Sequence, residues 1–207
     1  GNKMECIATD SYRLAKKIVE LDSTVENLIN IVIPGKNIGE LAKILNDNDE
    51  NVEIHIFSNK ILFKFDNILF QSRLLNGTFP DTSRLIPDTF ELEIKTDLDE
   101  LYSVIDRAAL LTSEKEKNVI KFETNENEAI VSSNTPEIGR VEERRAITKN
   151  NDKEIKIAFS SKFMMEALKT INSKDIRILL NSDIKPIILK TDEDENLIQL
   201  LLPIKTY

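Results

Sequence analysis

The stretch Phe90-Glu91-Leu92-Glu93-Ile94-Lys95-Thr96-Asp97-Leu98-Asp99-Glu100-Leu101-Tyr102-Ser103-Val104-Ile105-Asp106-Arg107-Ala108-Ala109-Leu110-Leu111 changes its hydrophobic period once. Phe90 to Lys95 alternates, the pattern of a half-buried strand. From Asp97 onward Leu98, Leu101, Val104, Ile105, Ala108 and Leu111 fall on one helical face, with Asp97 placed to cap it. Three alternating segments follow at Val119–Thr124, Glu128–Ser133 and Gly139–Ile147, each a predicted strand. The unit is therefore strand, helix, three strands.

The same order recurs on both sides of it. Upstream, Asn30–Pro34 is a short β-branched strand, and Gly35–Asn46 carries Ile38, Leu41, Ala42, Ile44 and Leu45 at helical spacing. Strands at Asn51–Phe57, Lys60–Phe65 and Asn67–Leu74 follow, closed by Asn76-Gly77. Downstream come a strand at Glu154–Phe159, a helix at Ser160–Ile171, and strands at Asp175–Asn181, Pro186–Lys190 and Leu197–Pro203. Three structural repeats of about fifty to sixty residues are the main organisational signal. One repeat would leave its sheet and helix half covered, so repeats should pair into two-layer domains. The fold class is α+β, with helices on one face of antiparallel sheets. Phe79-Pro80-Asp81-Thr82-Ser83-Arg84-Leu85-Ile86-Pro87 reads as a connector, which divides the chain into 1–87 and 88–207. Met4–Ala8 and Arg13–Leu21 form an opening hairpin around Thr9-Asp10-Ser11-Tyr12, as if left over from an earlier repeat.

Composition excludes several classes. With 207 residues and 41% hydrophobic content a real core is available. No apolar run approaches the roughly 20 residues of a bilayer span, and no leader is visible. Gly1 suggests a chain that begins in mid-protein. One cysteine, Cys6, rules out an internal disulfide and a cysteine-rich zinc site, which fits a cytoplasmic origin. The formal charge of -8 argues against bulk electrostatic capture of nucleic acid.

At Ala8-Thr9-Asp10-Ser11-Tyr12-Arg13-Leu14-Ala15, at the connector Phe79–Pro87, and at the terminal Leu202-Pro203-Ile204-Lys205-Thr206-Tyr207, the sequence closely resembles the bacterial sliding clamp, the β subunit of DNA polymerase III. The Lys-Thr-Tyr ending is most similar to clamps of Gram-positive-type bacteria. The resemblance runs through essentially the whole chain but covers a little over half of a family member. It implies the latter part of the middle domain, 1–87, and all of the third, 88–207. Family clamps are non-catalytic processivity factors. Two crescents close into a ring around duplex DNA, with helices lining the hole and sheets outside. Such a protein can be acidic overall, because only its lining needs positive charge. The resemblance gives Lys36, Lys43, Arg107, Lys162, Lys169 and Lys174 that role, although Glu40, Glu100 and Glu166 on the same helices equally suit ordinary solvated faces.

The resemblance also implies a groove that takes short linear peptides from the replicative polymerase, the clamp loader and repair polymerases. Its lining would be Thr9, Tyr12, Arg13 and Leu14 from the hairpin, and Pro80, Arg84 and Leu85 from the connector. The third domain would add Ser160, Phe163, Ile184, Leu201, Leu202, Pro203 and Ile204. Arg13 and Arg84 would hold peptide carbonyls or a carboxylate through their donor fork. Phe163 stands where many clamps have tyrosine, Lys205 where arginine is common, and Ser160 where asparagine can occur. Leu110 and Leu111, near Glu142 and Glu143, match the third-domain edge that meets a partner's first domain; the plainer reading turns both leucines toward the core. Lacking a first domain, the chain alone should be monomeric and unable to close the ring.

Catalytic constellations fail to assemble. His55 lies in an alternating strand, where a solvent-facing position is expected. Cys6, also in a strand, reads as a small buried hydrophobe rather than a nucleophile. Asp47, Asp49 and Glu50 lack the glycine and downstream glutamate of a calcium loop, and Asp192–Glu195 is an acidic turn. Pro34-Gly35-Lys36 lacks the spaced glycines of a phosphate loop. No metal or cofactor is expected. The competing class is an α+β scaffold or enzyme subunit whose ligand would occupy the cleft of Tyr12, Arg84 and Pro203.

Overall fold

The structure, a computed structural model, describes residues 1–27, 29–46, 51–113, 118–135 and 139–206. Two compact units result: Gly1 with Ser23–Thr82, and Asn2–Asp22 with Ser83–Tyr207.

In the first unit helix α1 (Gly35–Ile44) packs with a sheet of β3 (Glu53–Ile56), β4 (Lys60–Phe65) and β5 (Ile68–Arg73), in that order. Alternation along β4 sends Ile61, Phe63 and Phe65 to one face, where they join Leu41 of α1. Asn37 Nδ2 donates to Ser72 Oγ at 2.8 Å and fastens α1 to β5. Gly77, with φ 115°, turns the chain after β5 where a Cβ would strain it.

Asn30–Pro34, expected as a strand, is not one. Val32 accepts a backbone bond from Leu75 N at 2.8 Å. Pro34 has no N–H to continue a ladder. The residues Asp47, Asp49 and Glu50 lie outside the described residues.

The second unit carries the other eleven strands and two helices described here. Hairpin strands β1 (Lys3–Thr9) and β2 (Arg13–Glu20) pair in register from Lys3↔Glu20 to Thr9↔Leu14. Strand β6 (Leu92–Asp97) runs into α2 (Leu98–Ala109), followed by β7 (Val119–Thr124), β8 (Glu128–Thr135), β9 (Gly139–Ala146) and the short β10 (Thr148–Lys149). Strand β11 (Lys156–Ser160) leads into α3 (Ser161–Leu168), then β12 (Asp175–Leu180), β13 (Ile187–Lys190) and β14 (Leu197–Leu201). A seven-stranded sheet has the order β1-β2-β14-β13-β12-β6-β10, and a four-stranded one β11-β7-β8-β9.

The repeats exchange their first strands. β6 pairs with β12 of the next repeat, while β11 pairs back onto β7 of the previous one. The hairpin joins the larger sheet through β2 and β14, with Leu14 opposite Leu200.

Asp97 caps α2 by accepting from Glu100 N at 2.9 Å. At the other end Ser133 Oγ donates to Ala108 O at 2.7 Å and Thr135 Oγ1 to Leu111 O, which serves carbonyls that a helix terminus leaves open. Leu98, Leu101, Val104, Ile105 and Ala108 of α2 meet Met164, Ala167 and Leu168 of α3 and the inner faces of both sheets. Each such large aliphatic side chain stabilises by about 1.5–3 kcal/mol on burial. The larger sheet is covered on its other face as well: Leu14, Leu179, Ile188 and Leu200 lie under Ile86 and Phe90. That double burial explains why Ile178-Leu179-Leu180 and Ile187-Ile188-Leu189 are apolar without alternation.

Candidate functional site

The tip of the hairpin is built by side chains bonding their own backbone. Thr9 Oγ1 donates to Arg13 O at 2.7 Å and accepts from Ser11 N at 3.2 Å. Asp10 Oδ1 accepts from Tyr12 N and Arg13 N, each at 3.0 Å. Ser11 sits at φ 73°, a left-handed position that short polar residues tolerate. These bonds shape a tip that lifts Tyr12 outward, 61% exposed.

Helix α3 supplies the opposing wall. It starts at the expected place, with Ser160 Oγ accepting from Phe163 N at 3.4 Å. The Tyr12 and Phe163 rings stack at 6.3 Å with 28° between their planes. The Arg13 guanidinium lies 4.5 Å from the Phe163 ring centroid, within cation–π range. Its Nε donates to Asp10 Oδ2 at 2.9 Å, and Nη1 donates to Glu166. Partial burial works against the charge of Asp10, yet the Tyr12 N–H and then Arg13 outweigh it and hold its pKa below the usual value. Burial likewise opposes the Arg13 cation, and its bonds to Glu166 and Asp10 override that and raise its pKa.

The tail closes the arrangement. Leu202 N donates to Tyr12 O at 2.9 Å, and Ile204 N donates to Ala158 O on β11 at 2.7 Å. Two backbone bonds thus draw Leu202–Ile204 from the end of β14 past the hairpin tip toward β11. Leu202 is 43% exposed; Pro203 and Ile204 are half-buried.

Of the residues expected in one groove, Thr9, Tyr12, Arg13, Phe163 and Leu202 are linked by direct bonds or ring contacts, with Ser160 capping the same helix. Leu14 and Leu201 are buried at 2% and 1%, so they support the site from the core. Arg84, Leu85 and Ile184 are exposed in the same unit, and Pro80 is exposed in the other. Tyr207 lies outside the described residues. The sequence reading missed three members: Asp10 and Glu166, which hold Arg13, and Ala158, which anchors the tail. Glu166 stands three residues after Phe163, so helical spacing alone put it on the same face.

Of the expected lining cations in the first unit, Lys36 is exposed and Lys43 pairs with Glu40 at 2.9 Å. In the second unit Arg107 grips Glu143 with two bonds, at 2.9 and 3.0 Å. This pair holds the Glu143 pKa below the usual carboxylate range. Lys162, Lys169 and Lys174 are exposed, and Lys169 Nζ lies 5.6 Å from the Tyr102 ring centroid.

Two plain expectations fail. Leu110 does not turn toward the core: it follows the last residue of α2 and is 76% exposed, whereas Leu111 is half-buried. Cys6 is exposed rather than buried, because it lies on β1, the outermost strand of its sheet. Its thiol pKa is raised, by partial desolvation first and by the Glu5 charge second, which is the wrong direction for a nucleophile. His55 is exposed on β3, 3.2 Å from Glu53. Among the described residues no cluster of His, Cys, Asp and Glu could hold a metal ion, and no helix is long and apolar enough to cross a membrane.

Comparison with known proteins places this geometry. Residues 83–205 match the family model "DNA polymerase III beta subunit, C-terminal domain", and residues 1–81 match the corresponding central domain. The beta sliding clamp of Staphylococcus aureus is 44% identical over 206 residues, all of this chain and 54% of the relative. That of Staphylococcus epidermidis is 43% identical over the same span. The crystal structure of the DNA polymerase sliding clamp from Bacillus subtilis superposes with a TM-score of 0.94 at 42% identity, over 100% of this chain and 55% of that one. The architecture is thus the sliding-clamp fold. The chain belongs to the DNA polymerase III beta subunit family and spans about half the length of the curated relatives it matches.

Proposed function

We propose that this chain is part of a cytoplasmic DNA sliding clamp, a protein that encircles duplex DNA and docks polymerases, clamp loader and repair factors without catalysing a reaction itself. The observation that carries the docking role is the meeting of Tyr12, Arg13, Phe163 and Leu202 at one place, held by backbone bonds and ring contacts. Two aromatic rings and an aliphatic tail suit apolar peptide anchors, and the polar hairpin tip suits the peptide's backbone. Around this centre we place Thr9, Arg84, Leu85, Ile184, Pro203 and Ile204 as lining, with Leu14, Ser160 and Leu201 beneath. As domains of the chain we propose 1–87 and 88–207; the two family models meet a few residues earlier, between residues 81 and 83.

In the same reading Lys36, Lys43, Arg107, Lys162 and Lys169 face DNA. Leu110 and Leu111 belong to an edge that meets a second copy in the complete protein; the exposure of Leu110 supports that assignment.

The test is fluorescence anisotropy of a labelled peptide with a glutamine anchor and a Leu-Phe pair. Saturable binding is expected, weakened at least about tenfold by Arg84→Ala or by truncation after Leu202. Equal affinity in both variants, with circular dichroism unchanged, would remove the connector and tail from the docking site.

A further inference from the structure

We infer that Asn76-Gly77 is a site of spontaneous covalent modification, at which the Asn76 side chain condenses with the Gly77 backbone nitrogen, loses ammonia and hydrolyses to aspartate and isoaspartate. The inference is independent of the docking reading above. Asn76 is the only asparagine of the sequence that precedes a glycine. The pair lies in a bend after β5, and both residues are exposed.

The reaction balances with water as its only co-reactant. Gly77 N attacks Asn76 Cγ, the Cγ–Nδ2 bond breaks, and ammonia departs with the proton that Gly77 N gives up. One water then opens the five-membered imide. Attack at Cγ leaves aspartate in an unaltered main chain. Attack at the Asn76 backbone carbonyl leaves isoaspartate, in which the chain runs through Cγ and is one carbon longer. Either product adds a carboxylate to a chain whose formal charge is already -8.

The attack needs an unshielded nitrogen, an untethered amide and room to turn, and the bend supplies all three. Gly77 has no Cβ to crowd its nitrogen, sits at φ 115°, and leaves open space where a Cβ would stand. Among the described residues neither the Asn76 side chain nor the Gly77 N–H takes part in a hydrogen bond. Asn181 shows the opposite arrangement. It is half-buried and precedes Ser182, its Oδ1 accepts from Glu91 N at 2.9 Å, and its Nδ2 donates to Thr89 O at 3.0 Å. Those bonds must break before its amide can rotate onto the next nitrogen. The lengthened chain would lie one residue beyond Leu75, whose N–H donates to Val32 O at 2.8 Å, so the change falls where the first unit's sheet hands over to the connector.

The experiment follows the full chain in weakly alkaline water enriched in heavy oxygen, both folded and in urea. Peptide mapping by mass spectrometry reads the conversion, and isoaspartyl methyltransferase labelling reads the isoaspartate. In the folded chain the Asn76 peptide is expected to take up one solvent oxygen and yield both products, faster as pH rises. Its rate should be similar in urea, whereas Asn181 should convert only once unfolded. Asn76→Gln should abolish the methyltransferase signal from this peptide. Gly77→Ala should slow conversion several-fold, in urea as well, where the strain of a side chain at positive φ is absent. Conversion of Asn76 many times faster in urea than in the folded chain would overturn the inference, since the fold would then protect the site. Equal rates for Asn76 and Asn181 in the folded chain would also overturn it. Aspartate without isoaspartate, at a rate that Gly77→Ala leaves unchanged, would replace the imide route with direct hydrolysis and overturn it too.

Discussion

Asp10 does two things with one carboxylate. Oδ1 accepts the N–H groups of Tyr12 and Arg13 and sets the turn; Oδ2 receives Nε of Arg13 and aims that side chain at Phe163. Both favour the ionised acid, and together they outweigh the desolvation that opposes it. A carboxyl whose folded pKa lies below its unfolded value stabilises the fold above the unfolded pKa. That contribution is lost as pH falls through the folded one. The tip should hold its shape from neutral pH down to about 4, near the model-peptide value for Asp, and loosen below it. An NMR titration of the Asp10 carboxyl should therefore show a midpoint below about 3.9, rising toward that value in Arg13→Ala. A midpoint at the ordinary value in the unaltered chain would remove these bonds from the account of the tip. The sequence displayed Arg13 as a cation on a turn, but the fork is directed inward by Asp10 and by Glu166, the latter 153 positions away. No local pattern records a contact of that range.

Helices and strands were largely legible because each follows from a period and an end signal. Asp97 caps the helix for which it was expected, Ser160, read as the first helical residue, caps α3 from just before it, and the hairpin's polar tip lies between two alternating runs. The lapse at Asn30–Pro34 has the same kind of cause. β-branched composition marks a residue that suits a sheet, but a strand also needs a partner ladder, and Pro34 supplies no donor. The caps differ in geometry and so in expected strength. Asp97 accepts at 2.9 Å with an anionic oxygen at a helix N-terminus, whereas Ser160 accepts at 3.4 Å with a neutral one. Asp97→Ala should cost about 1 kcal/mol or more and Ser160→Ala nearer 0.5 kcal/mol. Urea unfolding monitored by circular dichroism checks the order, and a larger loss for Ser160→Ala would mean that bond length does not rank these caps. Exposure was harder to foresee than element type. Cys6 and Leu110 lie outside because of where β1 ends the sheet and where α2 stops, facts of the assembled fold.

In the molecule as a whole, a formal charge of -8 disfavours gripping DNA by bulk attraction, which is compatible with the enclosing role proposed above for the complete protein. The repeat pattern foretold that units would pair, but not how intimately they do so. By giving β6 to the sheet of the later repeat and taking β11 into the sheet of the earlier one, residues 83–151 and 152–207 each lack a strand of their own sheet. Their shared core also mixes both: Ile105 and Phe122 come from one repeat, and Met164, Ile178 and Ile187 from the other. Separated, each half would expose that core together with open strand edges. We therefore expect residues 83–151 expressed alone to show no cooperative unfolding transition, and the same for 152–207. An equimolar mixture should recover the β-rich circular dichroism spectrum and a single melt. If either half melts cooperatively without the other, the exchanged strands do not bind the repeats into one folding unit, and the two-repeat domain would have to be viewed as a pair of independently stable modules.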